Sequence, residues 1–93
     1  MIKHIYSFLL KDPSQAKEIS ERLLTLWEHI PYMAHMEVGI DFKGAENSWH
    51  IVEVCEFHTM EDFVRFGADE YHAGIRQYMS DKFIESCKID YRT

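Results

Sequence analysis

The strand-like stretches of this chain are apolar on both faces, and this feature limits the possible folds most. From Met1 to Lys11, one parity carries Ile2, His4, Tyr6, Phe8 and Leu10, and the other carries Lys3, Ile5, Ser7 and Leu9. From Trp49 to Phe57, Val52 and Val54 alternate against Trp49, Ile51, Cys55 and Phe57. An antiparallel sheet with one wet face alternates cleanly between apolar and polar residues. Both faces here ask for cover. A chain of 93 residues buries only about 60–65% of its unfolded surface and has few elements to spare.

The remaining elements follow from spacing and punctuation. Asp12-Pro13 ends the first strand and starts a helix, with Asp12 as N-cap, Pro13 at the first helical position and Gln15 three beyond the cap. Ile19, Leu23, Leu26, Trp27 and Ile30 then form one helical stripe, which Pro31 stops. Met33 to Phe42 alternates as a strand, and Lys43 to Ser48 is turn chemistry. Thr59 caps a short helix that ends near Gly67, and a second short helix carries Ile75 and Met79. Phe83 to Tyr91 closes the chain as a strand. The order is β-α-β-β-α-β over one unit, residues 1–93, which predicts an α+β, ferredoxin-like fold with a four-stranded antiparallel sheet. The helices can cover one sheet face only. The predicted cover for the other is a second copy, a homodimer through the sheet face.

Composition narrows the function classes. A net charge of −6 disfavours nucleic acid, whose phosphates need clustered Lys and Arg. No apolar run approaches the roughly 20 residues that span a bilayer, and the opening Met1-Ile2-Lys3-His4-Ile5 has no secretory pattern. The expectation is a cytoplasmic protein with no membrane partner and with Cys55 and Cys87 as reduced, packed thiols. No metal-ligand spacing and no glycine-rich phosphate loop occurs, so no metal or cofactor is expected.

Histidine is the side chain most suited to acid–base work near neutral pH. Of the six, His4 and His50 fall within predicted strands among apolar residues, and His4 shares its parity with Tyr6. They read either as hydrogen-bonded core histidines or, with Tyr6, as walls of a pocket between sheet and helices. His72 opens the second short helix beside Asp69 and Glu70. It reads as a surface histidine or as a general acid or base whose pKa a carboxylate raises. His29, His35 and His58 receive no role. Trp27, Phe63 and Phe66 read as core residues that could equally line an apolar cavity.

Several pieces, in this order and spacing, resemble the stress-responsive dimeric α/β-barrel (Dabb) family. They are Ile2-Lys3-His4-Ile5, Ile30-Pro31, Val38-Gly39, His50-Ile51-Val52-Glu53-Val54, Phe57, Thr59-Met60-Glu61 and Ile89-Asp90-Tyr91. The resemblance implies a ferredoxin-like dimer whose two sheets pack as a dimeric α/β barrel. It also implies a similarity to a plant cyclase of the family, which closes a polyketide by aldol condensation. By that similarity, His4, His50 and His72 fall on cavity histidines, and His72 falls on the acid/base. The family's Tyr-x-x-His-Pro-x-His segment is here Phe66-Gly67-Ala68-Asp69-Glu70-Tyr71-His72. Phe66 and Leu23 thus stand where that cyclase has tyrosines.

The leading expectation is a site that binds a small apolar or aromatic carbonyl compound, with His72 catalytic and His4, His50, Tyr6, Phe66 and Leu23 contacting substrate. Its chemistry would be proton transfer, cyclisation or a lyase reaction. One alternative is a non-enzymatic stress-related oligomer, with Phe66, Trp27 and Leu23 filling the interior. Another is a cofactor-free monooxygenase of the related dimeric barrel type.

Overall fold

The computed structural model describes residues 1–93. Four strands form one antiparallel sheet: β1 (Ile2–Leu10), β2 (His35–Ile40), β3 (Ile51–Phe57) and β4 (Phe83–Arg92). Their order is β2-β3-β1-β4. Three helices, α1 (Ala16–His29), α2 (Met60–Gly67) and α3 (Glu70–Met79), complete a ferredoxin-like α+β arrangement. The register pairs His4 with Cys55 on β3 and with Asp90 on β4, and pairs Tyr6 with Glu53. Directly opposed residues share a face, so these side chains stand together.

Local chemistry sets the element ends. Asp12 Oδ1 accepts from the Ser14 N–H at 3.0 Å, and a 3-10 turn over Pro13–Gln15 leads into α1. Gln15, three beyond the cap, makes no side-chain capping bond there. Thr59 Oγ1 accepts from the Asp62 N–H at 3.1 Å and caps α2. Asp69 Oδ1 accepts from the N–H groups of Tyr71 and His72 at 2.8 and 3.1 Å, so α3 starts at Glu70 and His72 stands at its third position. β3 begins at Ile51, which leaves Trp49 and His50 outside the strand.

The core lies between the sheet and the helices. Ile2, Phe8 and Leu10 of β1 and Ile51, Cys55 and Phe57 of β3 pack there with Ile19, Leu23 and Leu26 of α1, Phe66 of α2 and Ile75 and Met79 of α3. Trp27, expected in the core, is 49% exposed. The α1 stripe centres on Ile19, Leu23, Leu26 and Ile30, and Trp27 sits roughly 80° from Ile19 at its edge. Cys55 is buried as expected, whereas Cys87 is exposed on the opposite sheet face, so its thiol is not packed. Nothing in this chain covers that opposite face. Ile5, Leu9, Val52 and Val54 are only half-buried there, and Ile89 is exposed.

Candidate functional site

The helix-facing side of the sheet carries two polar groups in positions that strand parity reserves for core residues. His4 is 7% exposed and Glu53 is 4% exposed. The side chain of Asp90, from the neighbouring position on β4, accepts a hydrogen bond from His4 Nδ1. That bond places the proton on Nδ1 and turns Nε2 toward Glu53, whose Oε2 lies 3.8 Å away. At this distance no hydrogen bond forms, and burial dominates the carboxyl group. Burial raises the Glu53 pKa to about 7. Asp90, His4 and Glu53 thus form a line across the sheet under α2 and α3.

His72 faces this line from α3. Its Nδ1 lies 3.0 Å from the carbonyl oxygen of Phe66, and its ring stacks on Phe66 at 3.8 Å. A carbonyl only accepts and a guanidinium only donates, so Phe66 and Arg76 compete for Nδ1; the shorter contact, to the carbonyl, sets the tautomer with the hydrogen on Nδ1 and the lone pair on Nε2. The Arg76 guanidinium is 3.1 Å from the same Nδ1 and adds positive charge beside the ring. Burial lowers the His72 pKa to about 4; the Phe66 carbonyl, the next-largest influence, acts upward, and Arg76 and His4 add smaller downward effects. The expected upward pull of a neighbouring carboxylate is present, from Asp69, but it is the smallest of these effects. Asp69 is turned to the N–H groups of α3 and to the Tyr32 hydroxyl at 3.3 Å, and desolvation outweighs its charge. His72 is a neutral imidazole at physiological pH.

Two adjoining hollows open between these groups. One, of about 230 Å³, is lined by Tyr6, Leu23, Glu53, His72, Ile75 and Phe83, among others. The second, of about 250 Å³, is lined by His4, Phe63, Phe66, Lys88 and Asp90. The two share Tyr6, His72 and Arg76. Tyr6 stacks on Phe8 at 4.6 Å, and its hydroxyl lies 3.2 Å from Ser86 Oγ. The walls of the first are mostly apolar and aromatic with a few converging polar groups, the usual make-up of a small-molecule site, while the second is rich in charged and histidine side chains. Of the three residues that the non-enzymatic alternative expects to fill the interior, Leu23 and Phe66 are buried in the core while also bordering the hollows, and Trp27 stands half outside.

The structure therefore brings together His4, Tyr6, Leu23, Phe66 and His72. It does not bring His50 to them. His50 Nδ1 accepts from the Leu10 N–H at 2.9 Å and so ties the end of β1 to the start of β3. It lines a separate hollow of about 320 Å³ with Ile40, Trp49 and Val52, and none of that lining is shared with the His72 cavity. Tyr71 also lies elsewhere: its ring stacks on His29 at 3.8 Å and its hydroxyl bonds Thr25 Oγ1 at 2.6 Å. Glu53 and Asp90 are the site residues that sequence reasoning left without a role. For Glu53 the available signal was its parity, shared with Ile51, Cys55 and Phe57. No group of three or more His, Cys, Asp or Glu side chains is placed to hold a metal ion.

Solved structures of the same architecture span nearly the whole chain. A dimeric protein of unknown function with a ferredoxin-like fold from Bacteroides fragilis NCTC 9343 superimposes with a TM-score of 0.83 at 21% identity, covering 99% of this chain and 95% of that one. A dimeric ferredoxin-like protein of unknown function from Thermobifida fusca YX gives a TM-score of 0.86 at 18% identity, covering 99% and 90%. A hydroxynitrile lyase from Passiflora edulis gives 0.82 at 16% identity, covering 97% and 90%. No curated protein matches the sequence significantly. The family profile described as the stress responsive A/B barrel domain, Dabb, matches residues 2–92. By that match, with the ferredoxin-like fold beneath it, the chain belongs to the Dabb family.

Proposed function

We propose that this chain acts as a homodimer, closed through the uncovered sheet face. We further propose that it binds a small apolar or aromatic carbonyl compound between the sheet and α2–α3, where His72 Nε2 removes a proton from the carbon beside the carbonyl. The observation that carries the reading is the state of His72: neutral, oriented through Nδ1 by the Phe66 carbonyl, and with Nε2 unbonded at an aromatic-lined cavity. A base held in one orientation against a bound substrate needs little reorganisation to react. The dimer is supported by the apolar residues Ile5, Val52, Val54 and Ile89 on a face that no helix covers. The relatives from B. fragilis and T. fusca are described as dimeric.

The test uses acetophenone, an aryl methyl ketone, in deuterated buffer, with methyl-proton exchange followed by NMR. The wild type is expected to accelerate exchange, and His72→Ala to lose that acceleration by about 10²-fold or more with its melting temperature unchanged. Exchange at the uncatalysed rate in the wild type, or at the wild-type rate in His72→Ala, overturns the proposal. The Passiflora relative's name favours a second reading, hydroxynitrile cleavage, in which the same base takes the hydroxyl proton as cyanide leaves. Release of benzaldehyde from mandelonitrile, measured alongside, distinguishes the two.

A further inference from the structure

Glu53 is unusual among the charged residues of this chain. The residue is 4% exposed, its nearest basic partner is His4 Nε2 at 3.8 Å, and its carboxyl oxygens, which are not sealed in the core, border the same hollow as His72. Buried carboxyl groups are ordinarily paired or hydrogen-bonded. The groups around it are His4 and Tyr6 from β1, His72 and Arg76 from α3 and Cys55 beside it on β3, with Lys88 and Asp90 of β4 on the same sheet face beyond β1, in the adjoining hollow. Arg76 and Lys88 make no ion pair with it, and Asp90 is occupied by His4. The nearest basic atom, His4 Nε2, is too far for a hydrogen bond. Its open hydrogen-bonding partner is whatever fills the cavity.

We infer that Glu53 is the general acid of this site, giving its carboxyl proton to the carbonyl oxygen of the substrate while His72 takes the proton from the adjacent carbon. This rests on the proposed proton-transfer function and adds its second catalytic group. The electrons balance without a redox partner. The C–H pair released to His72 becomes the carbon–carbon double bond of an enol, and the carbonyl π pair moves to oxygen, which takes the Glu53 proton. Glu53 is left as a carboxylate and His72 as an imidazolium, and reversal returns both protons. The two environments set the protonation states these roles require, because burial holds Glu53 protonated up to about pH 7 and keeps His72 neutral down to about pH 4, while the same shifts make each group the weaker acid or base. The pair titrates in opposite directions from its ordinary values, and the acid and the base coexist between those limits.

The experiment is the pH profile of acetophenone exchange in the wild type, Glu53→Gln and Glu53→Asp, with binding followed by saturation-transfer NMR. The wild-type rate is expected to be level between about pH 4 and 7 and to fall tenfold per unit above that. Glu53→Gln is expected to bind acetophenone as before, exchange it about 10²-fold more slowly and lose the alkaline limb. Glu53→Asp, which retains a carboxyl, is expected to keep the limb at a reduced rate. A wild-type profile level through pH 7, or Glu53→Gln at the wild-type rate with His72→Ala inactive, overturns the role of Glu53 alone. Absence of His72-dependent exchange in the wild type overturns the proposed function and this inference together.

Discussion

Replacing Glu53 by Gln should make the protein more stable at pH 8 than the wild type, with most of that gain absent at pH 5. An acid whose folded pKa is raised holds its proton in the folded state after the unfolded chain has released it. Its stabilising contribution is complete below the unfolded value of 4.5 and is lost as pH rises through the folded value of about 7. Each unit of difference is worth about 1.4 kcal/mol, so the whole penalty is about 3 kcal/mol, of which about 2–3 kcal/mol falls between pH 5 and 8. Gln has the shape and polarity of the protonated acid and carries no ionisation to lose. His72 works in the opposite sense: its lowered pKa makes stability fall as pH drops from 6.5 toward about 4. The wild-type curve alone thus shows little slope, while the difference between the two proteins cancels the His72 contribution. Urea unfolding at pH 5 and pH 8, at one fixed protein concentration because the proposed unit is a dimer, measures that difference. A gap equal at both pH values would show that Glu53 is ionised in the folded protein at pH 5 and does not sit in a desolvated site.

Three further outcomes follow from the packing. Asp69→Ala removes the acceptor for the Tyr71 and His72 N–H groups and should cost about 1 kcal/mol in thermal or urea unfolding. Phe57→Ala empties a fully buried position in contact with Phe63 and Phe66 and should cost about 3–5 kcal/mol in the same measurement. Val54→Asp places a charge in the uncovered sheet face, opposite Ile5 and Glu37, and should convert the proposed dimer to monomer in sedimentation equilibrium while the helix-side cavity is untouched.

The residues explain which features could be read beforehand. Strand parity, the Thr59 cap and the Pro31 stop are local signals, and each stands in the structure where its spacing puts it. His50 could not be placed in this way. Its direction depends on where β3 begins and on the pairing of His4 with Cys55, which are long-range facts. Glu53 was hidden for the same reason that suggested a dimer: with both faces apolar, parity does not say which face the helices cover. The His72 pKa was misjudged because Asp69 is adjacent in sequence, yet its carboxylate is committed to capping α3 while burial acts on the ring. His4 and Tyr6 share a wall because they share a parity, a relation that needs no tertiary knowledge.

The opposed protonation of two side chains at one cavity can be observed without any substrate. Carbon-13 labelling of glutamate and nitrogen-15 labelling of histidine allow both groups to be titrated by NMR in the intact protein, with Glu53→Gln and His72→Ala assigning the signals. The Glu53 carboxyl should titrate near pH 7, and the His72 ring should stay neutral down to about pH 4 with its hydrogen on Nδ1. A Glu53 midpoint at the ordinary 4.5 together with a His72 midpoint at the ordinary 6.5 would contradict the acid–base pair on which the proposed chemistry stands.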